Sequence, residues 1–478
     1  MSPHGRIARA VSWSAIDVLV RHGLNFVVLV ILARFLSPAD FGLVAMLALF
    51  VAVAALLVES GFSQALIQRK QTTHLDESTI FFFTVLMGGL IAIALCTIAP
   101  WIAGFYGQPV LEQMTYWMAL NLFLKSLATI HTTLLAKELN FKLITKTGTV
   151  SALISGGVAI FMAMHEWGVW SLIGQVLTAT ITSVLLLWMF HSWRPQMAFS
   201  FASLRSYFGF GGYLLWTGLL GTLHIHLYAL LIGKMHSVQD VGFFSQAQRL
   251  QQLPVSIMTN VVGRVAFPVF SEAADDKVRL ARGVRKALTS VMFVNAPLML
   301  AMMVLAEPLV VGLLGEKWLP AVPVLQVLTA VGLMWPLHAL NINVLKAQGH
   351  SALNARIQII KLTVAVALLL ILSPYGILAI AYGQVVVSIL GLFVNTYYTN
   401  KLLDYGGMQQ LRDIFPYLAA SAPMVLGIWG TVWLLSWPIW LELLTALLIG
   451  SCIYLLVSKW AKLEALENMI MMLKKVKS

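Results

Sequence analysis

The sequence predicts an all-α polytopic membrane protein with fourteen transmembrane helices, and three observations support this fold class. The 478 residues are 59% hydrophobic and only 10% charged, which is more apolar surface than a soluble chain of this length needs. Apolar segments long enough to cross a bilayer recur along almost the whole chain. The segments between them alternate in positive charge, as cytoplasmic and external loops do.

A transmembrane helix needs about 20 mostly apolar residues, and fourteen segments can be assigned on this basis. They lie at 13–35, 41–62, 80–103, 113–135, 146–164, 167–190, 209–232, 241–270, 286–306, 319–345, 355–373, 376–398, 415–435 and 437–457. The first segment is too long for the core of a signal peptide, so we predict that it is retained as a span. The segment at 241–270 is polar enough to escape a hydropathy window, and its assignment depends on an internal repeat.

Charge decides the predicted orientation. Of the 31 Lys and Arg residues, 24 fall in one set of alternate loops, which includes both termini and the loop at 346–361. The opposite set holds only Lys234 and Lys317. Because positive charge marks the cytoplasmic side, we predict that both termini are cytoplasmic. The net charge of +12 therefore belongs to loops near the membrane and does not indicate a nucleic-acid partner.

The first 400 residues contain a repeat at an offset of 200. The matching pairs are Arg34 and Lys234, Ser37 and Ser237, Asp40 and Asp240, and Gly42 and Gly242. An even number of helices per copy makes the repeat parallel, with its axis along the membrane normal. We therefore predict six-helix bundles at 1–200 and 201–400, with helices 13 and 14 at 401–458. The tail at 459–478 is basic and amphipathic, and it favours either an anionic lipid surface or a docking partner.

The first predicted span carries polar residues at helical spacing. Asp17, Arg21 and Asn25 follow one another at intervals of four, so a helix places them on one stripe. A charge at the centre of a bilayer costs at least about 2.5–3.5 kcal/mol, so this stripe should face protein or a water-filled cavity. An alternative is that Asp17 and Arg21 form a packing ion pair one turn apart.

The eighth predicted span carries a second stripe, and other spans add single polar residues. We predict a cavity between the two halves, lined by these side chains. The candidate binding residues are Asp17, Arg21, Asn25, Glu59, Lys125, His224, Gln246, Arg249, Asn260 and Arg264. Cations outnumber carboxylates in this set, which favours an anionic substrate, and guanidinium groups match phosphate oxygens bidentately. Asp17 or Glu59 could couple the cycle to protons or sodium.

Catalytic motifs are absent from the sequence. It contains no GxxxxGK[ST] loop, so we predict no nucleotide-driven motor, and it contains no HExxH, CxxC or nucleophile elbow. His224 and His226 point to different faces of one helix, too few ligands for a metal site. We therefore predict a transporter rather than an enzyme, with no cofactor and no metal.

Seven stretches carry a family resemblance. They are WSAI at 13–16, LARFLSPADFGLVAM at 32–46, GFSQALIQRK at 61–70, HLDE at 74–77, KELNFK at 137–142, RVAFPVFSEAADDKVRL at 264–280 and GEKWLPAVPVLQVLTAVGL at 315–333. They resemble polysaccharide flippases of the Wzx type, within the multidrug/oligosaccharidyl-lipid/polysaccharide exporter superfamily, and most nearly the colanic-acid subgroup. The family has no short catalytic signature, so no residue role carries over by motif.

The resemblance implies a fourteen-helix exporter of the bacterial inner membrane. The implied substrate is an oligosaccharide repeat unit on undecaprenyl diphosphate, moved across the phospholipid bilayer by alternating access for exopolysaccharide or lipopolysaccharide synthesis. A polysaccharide polymerase and other assembly proteins would be its partners. A multidrug or cation antiporter of the same fold is the alternative, although cationic drugs favour a cavity rich in carboxylates and aromatic rings. A membrane glycan polymerase or ligase is a further alternative, but the external loops are too short to form a domain.

Overall fold

The computed structural model describes residues 13, 20–21, 23–59, 61–69, 71–272, 276–434 and 437–467. Within these ranges the regular structure is helical, without strands. The α-helices are α1 (Gly23–Phe35), α2 (Pro38–Glu59), α3 (Phe62–Gln68), α4 (His74–Tyr106), α5 (Val110–Lys137), α6 (Phe141–Met164), α7 (Trp170–Phe190), α8 (Phe201–Met235), α9 (Val238–Glu272), α10 (Lys277–Val304), α11 (Ala306–Leu314), α12 (Ala321–Ala347), α13 (Ser351–Leu372), α14 (Ile377–Leu403), α15 (Gly407–Leu434) and α16 (Ile439–Trp460).

Twelve helices in the described ranges are long and apolar enough to cross a membrane. The two further predicted spans correspond to α1 and α9. In its described part α1 is short. The α9 helix is 35 residues long, but the side chains of residues 257 and 259–269 lie outside the described residues, so its character as a span is not tested. The helix predicted at 241–270 is therefore confirmed as a helix, and the total of fourteen spans stays a prediction.

Local hydrogen bonds explain where several helices begin. At the start of α4 the Thr73 hydroxyl accepts from the Asp76 amide, and the Thr73 amide donates to Asp76 Oδ2 at 2.9 Å. This reciprocal capping box satisfies two amides that the first turn leaves unpaired. The Asp76 carboxylate also accepts from the Ser203 hydroxyl at 2.5 Å, which ties the start of α8 to the start of α4.

The chain divides into two compact units, residues 1–242 and residues 243–478. In the first unit α4 packs against α5, α6 against α7, and α2 against α8. The α8 helix, which the repeat assigns to the second bundle, thus groups with the first unit. The predicted boundary at residue 200 follows the repeat instead of the packing, and it stays a prediction.

The α1 helix and the residues before it lie along α6. A Cβ atom added at Gly148 would lie 2.9 Å from Cδ of Arg21, and one added at Gly156 would lie 2.6 Å from Cγ2 of Val28. The contacts advance along both segments in the same direction, so the two run parallel. Two glycines of α6 therefore provide the surface on which this segment packs closely.

The repeat at offset 200 is visible in the first unit, where α2 and α9 begin. Ser37 and Ser237 each donate a backbone N–H and a side-chain O–H to the Asp three residues later. A Cβ added at Gly42 would lie 1.9 Å from the Val238 carbonyl oxygen, and one at Gly242 would lie 2.0 Å from that of Pro38. The two helix starts therefore share one capping pattern and touch each other reciprocally, which supports the repeat.

In the second unit α12 packs against α14, α15 against α16, and α10 against both α12 and α15. A large apolar cluster forms its core, and Leu463 and Leu466 are buried in it. The first residues of the predicted tail therefore pack against this unit itself. Residues 468–478 lie outside the described residues, so the predicted lipid-surface helix is not tested there.

Candidate functional site

Arg249 is an exposed cation on a helix that otherwise buries its neighbours. It lies in α9, where Gln246, Ala247 and Leu250 are buried at 2%, 0% and 5% exposure. The Arg249 side chain is itself exposed. Within the described part of the chain, its guanidinium makes no hydrogen bond and no ion pair. A guanidinium keeps its proton, so this side chain presents a fixed positive charge available to an anion.

A polar stripe surrounds Arg249 on the same face of α9. Ser245 lies four residues before Arg249, Gln252 lies three residues after it, and Ser256 lies four residues after Gln252. All three side chains are exposed or half-buried. Sequence analysis missed Gln252, although its position three residues after Arg249 could have identified it. The Gln252 amide offers donors beside the guanidinium, whereas the Ser256 hydroxyl donates to the Leu253 carbonyl oxygen at 2.8 Å.

The structure separates some of the residues that the sequence grouped on this helix. Gln246 is buried, and its Oε1 has no hydrogen-bond partner among the described residues. It is therefore enclosed by protein while Arg249 is exposed. The backbone of α9 continues through Asn260 and Arg264, whose side chains lie outside what the structure describes, so their predicted place on the stripe is not tested.

Glu59 and Lys125 form an ion pair in the first unit. Lys125 Nζ lies 3.3 Å from Glu59 Oε1, and the two side chains are 54% and 52% exposed. Sequence analysis predicted both as separate binding residues, because they lie on different helices and only packing brings them together. One turn before Lys125, Asn121 is buried with its Oδ1 unpartnered among the described residues. The Glu59 carboxylate thus partly neutralises the charge of Lys125, one of the predicted cations.

The other predicted residues of the first unit lie on different helices. Arg21 is half-buried against Gly148 of α6, and Asn25 is exposed on α1. His224 is half-buried in α8. Asp17 lies outside the described residues, so the predicted pairing of Asp17 with Arg21 is not tested.

Sequence analysis counted Lys361 in the loop at 346–361 and also included it in the span at 355–373, and the structure places it within a helix. The loop predicted at 346–361 is short in the structure, because α12 ends at Ala347 and α13 begins at Ser351. Lys361 therefore lies in the middle of α13. A charge count cannot detect this, since a lysine one turn inside a predicted span looks the same as one just outside it.

Among the described residues, no group of three or more His, Cys, Asp or Glu side chains is placed to hold a metal ion. The chemistry that this part of the chain presents is therefore that of fixed cations, amides and hydroxyls.

Residues 31–323 match the family of polysaccharide biosynthesis proteins. The match spans more than half of the chain. The chain belongs to this family.

Two relatives of known name illustrate the family. The lipopolysaccharide biosynthesis protein WzxC of Escherichia coli (strain K12) is 27% identical over 337 residues, which cover 70% of this chain and 68% of WzxC. The teichuronic acid biosynthesis protein TuaB of Bacillus subtilis (strain 168) is 26% identical over 381 residues, covering 78% of this chain and 79% of TuaB.

Solved structures share the fold at low identity. The lipid II flippase MurJ in an inward closed conformation matches with a TM-score of 0.76 at 15% identity, covering 94% of this chain and 98% of MurJ. An inward-facing multidrug resistance transporter of the MATE family matches with a TM-score of 0.63 at 13% identity, covering 83% of this chain and all of that one. At such identities the likeness shows that the fold is the one these transporters share.

Proposed function

We propose that this protein is a flippase for undecaprenyl-diphosphate-linked oligosaccharide repeat units, working by alternating access in the bacterial inner membrane. The observation that carries the proposal is Arg249, an exposed guanidinium on the polar face of a long helix, with no ion pair among the described residues. The family match and the relatives named for lipopolysaccharide and teichuronic acid synthesis support the substrate class.

The diphosphate is the part of this substrate that fixed cations recognise. Arg249 would form paired hydrogen bonds with phosphate oxygens, with the Gln252 amide as a further donor. Arg21 and Lys125 would add positive charge in the first unit. The headgroup would bind from the cytoplasmic side, and rocking of the helical bundles would open the other side. The product would then reach a polysaccharide polymerase for exopolysaccharide or lipopolysaccharide synthesis.

The two alternatives fit the described residues less well. A cation antiporter of the same fold would need an exposed carboxylate, but Glu59 is paired with Lys125. A glycan polymerase would need a domain that holds catalytic groups, and the connections on the predicted external side are short, as between Tyr106 and Val110. The protein is a transporter of the polysaccharide pathway rather than an enzyme.

Replacing Arg249 with Ala tests the proposal. We expect surface polysaccharide to fall by about ten-fold or more, because losing a hydrogen bond to a charged group costs about 1.5–3 kcal/mol. Lipid-linked repeat units should accumulate on the cytoplasmic leaflet while the amount of protein in the membrane stays normal. Arg279→Ala is the control, since Arg279 is exposed and pairs with Glu272 at 3.5 Å. Normal polymer from the Arg249→Ala strain would contradict the anion-binding role.

A further inference from the structure

Lys361 lies within a helix that has the length and composition of a membrane span. The span covers Arg356–Tyr375 in the hydropathy profile, and Lys361 is in the middle of α13. At about 1.5 Å per residue, it lies about 7.5 Å from the start of the span at Arg356, roughly a quarter of the thickness of the hydrocarbon core. An ionisable side chain at such a depth indicates a functional site unless it is neutralised by a partner.

The Lys361 side chain lies flat against α14. A Cβ atom added at Gly391 would lie 2.5 Å from Cε of Lys361, 3.1 Å from Nζ and 3.3 Å from Cδ. A larger side chain at position 391 would have to push the end of the Lys361 side chain aside. The amine is therefore held close to the α14 backbone and is half-buried, an arrangement that leaves little room for a phosphorylated headgroup between it and α14.

The described structure provides Lys361 with no counter-ion. Its amine makes no hydrogen bond and no ion pair in the described ranges. The α13 helix packs against α12, α14 and the turn at Ser373–Tyr375. None of these elements contains an Asp or Glu, because the sequence has no acidic residue between Glu316 and Asp404. A protonated amine here would be an uncompensated charge, which is strongly unfavourable inside a membrane.

The face of α14 that meets Lys361 is polar but neutral. Gln384, Ser388 and Asn395 share the stripe of Gly391 at helical spacing. The Asn395 amide donates to His338 Nδ1 at 3.0 Å, and His338 Nε2 in turn lies 3.0 Å from the Ser388 hydroxyl. Gln384 Oε1 and Asn395 Oδ1 are buried and unpartnered in the described ranges, so the stripe holds oxygen acceptors for a protonated amine.

On α13 and the elements that pack against it, other titratable or charged residues are few, and none of them carries negative charge at neutral pH. They are Arg356 on α13, His338 and Lys346 on α12, Tyr382, Tyr397, Tyr398 and Lys401 on α14, and Tyr375 on the turn. Lysine, unlike arginine, releases its proton readily when its charge is unfavourable. The chemistry around Lys361 therefore favours a site that gains and loses H⁺ over a fixed cation.

We propose that Lys361 is a proton-binding site of the second unit, which takes up and releases one H⁺ during each transport cycle. Uptake forms an N–H bond with the lone pair of Nζ, and release returns the H⁺ to water. The neutral amine packs on Gly391, and the protonated amine donates to the oxygen acceptors of the α14 stripe. The link to a transport cycle rests on the proposed function, whereas the proton site itself does not.

The site can be tested by NMR on the full-length protein in lipid nanodiscs. Lysine labelled with ¹³C at Cε is incorporated, and the Lys361 signal is the one that disappears in Lys361→Arg. We expect its titration midpoint to lie at least about one pH unit below those of the surface lysines, as burial of an amine predicts. A midpoint equal to theirs would overturn the proposal. A midpoint that rises on addition of inorganic pyrophosphate would identify an anion site instead and would also overturn it.

Matched glycine variants test the geometry. Gly391→Ala should shift the Lys361 midpoint, because the added methyl displaces the amine, while Gly430→Ala should not, since a Cβ there meets nothing within 4 Å.

In cells, Lys361→Arg and Lys361→Gln should both lower polysaccharide export and remove its sensitivity to a proton uncoupler. Export that keeps its sensitivity in both variants would overturn the coupling. A normal Arg249→Ala strain with a shifted Lys361 midpoint would contradict the proposed anion-binding role of Arg249 and leave the proton site standing.

Discussion

At the scale of single residues, the molecule holds its cations in three different ways. Arg249 is exposed without a partner in the described ranges, Lys125 is paired with Glu59, and Lys361 lies against a glycine. Composition predicted a positive site but could not distinguish these states. Helical spacing identified Arg249, whereas the Glu59–Lys125 contact joins two helices and therefore depends on packing that no local pattern encodes.

The pairing of Lys125 leads to a prediction about Glu59. Because the carboxylate competes with phosphate for the same amine, Glu59→Gln should strengthen the binding of farnesyl diphosphate, a short polyprenyl diphosphate, to the purified protein by several-fold. Stability should change by less than about 1 kcal/mol, since both partners are half-exposed and such pairs contribute little. Isothermal titration calorimetry measures the affinity. Glu272→Gln, which removes the partner of Arg279, is the control; unchanged or weaker binding by Glu59→Gln would contradict the competition.

At the scale of helices, apolar length predicted the spans from α2 to α16, and charged or capped ends set their limits. The helices extend beyond the predicted apolar segments, as α4 does by beginning at His74, because a capping box continues the helix past the hydrocarbon region. The short helix α3 was missed, since seven residues in a charged loop carry no spanning signal. The α9 helix was found only through the repeat.

The reciprocal contact of Gly42 and Gly242 predicts the effect of added side chains. Each Ala substitution should lower the melting temperature, because the methyl group would meet a backbone carbonyl oxygen at about 2 Å and force α2 and α9 apart. Overpacking of this kind costs about 1–3 kcal/mol. The double variant should cost less than the two single costs combined, since one separation relieves both contacts. Gly104→Ala is the control, as a Cβ there meets nothing within 4 Å; additive losses would show that the contacts are independent.

At the scale of the whole chain, composition alone identified the class and the family resemblance identified the relatives. Twelve described helices have the character of spans, and the difference from fourteen lies in α1 and α9. The sequence prediction of α9 as a span depends on the repeat, because Arg249 and the polar residues near it lower the hydropathy of the first half of the helix.

The orientation of the chain depends on whether α9 crosses the membrane. If it does, Gln239 and Lys277 lie on opposite sides of the membrane. Gln239 is near the start of α9, Lys277 follows the end of that helix, and both side chains are exposed. A cysteine-free variant for this labelling needs only two substitutions, Cys96→Ser and Cys452→Ser. In spheroplasts, an impermeant maleimide should label Gln239→Cys and should reach Lys277→Cys only after permeabilisation. Labelling of both without permeabilisation would put the five cations between residues 277 and 286 on the external side, against the charge rule that orients every other loop.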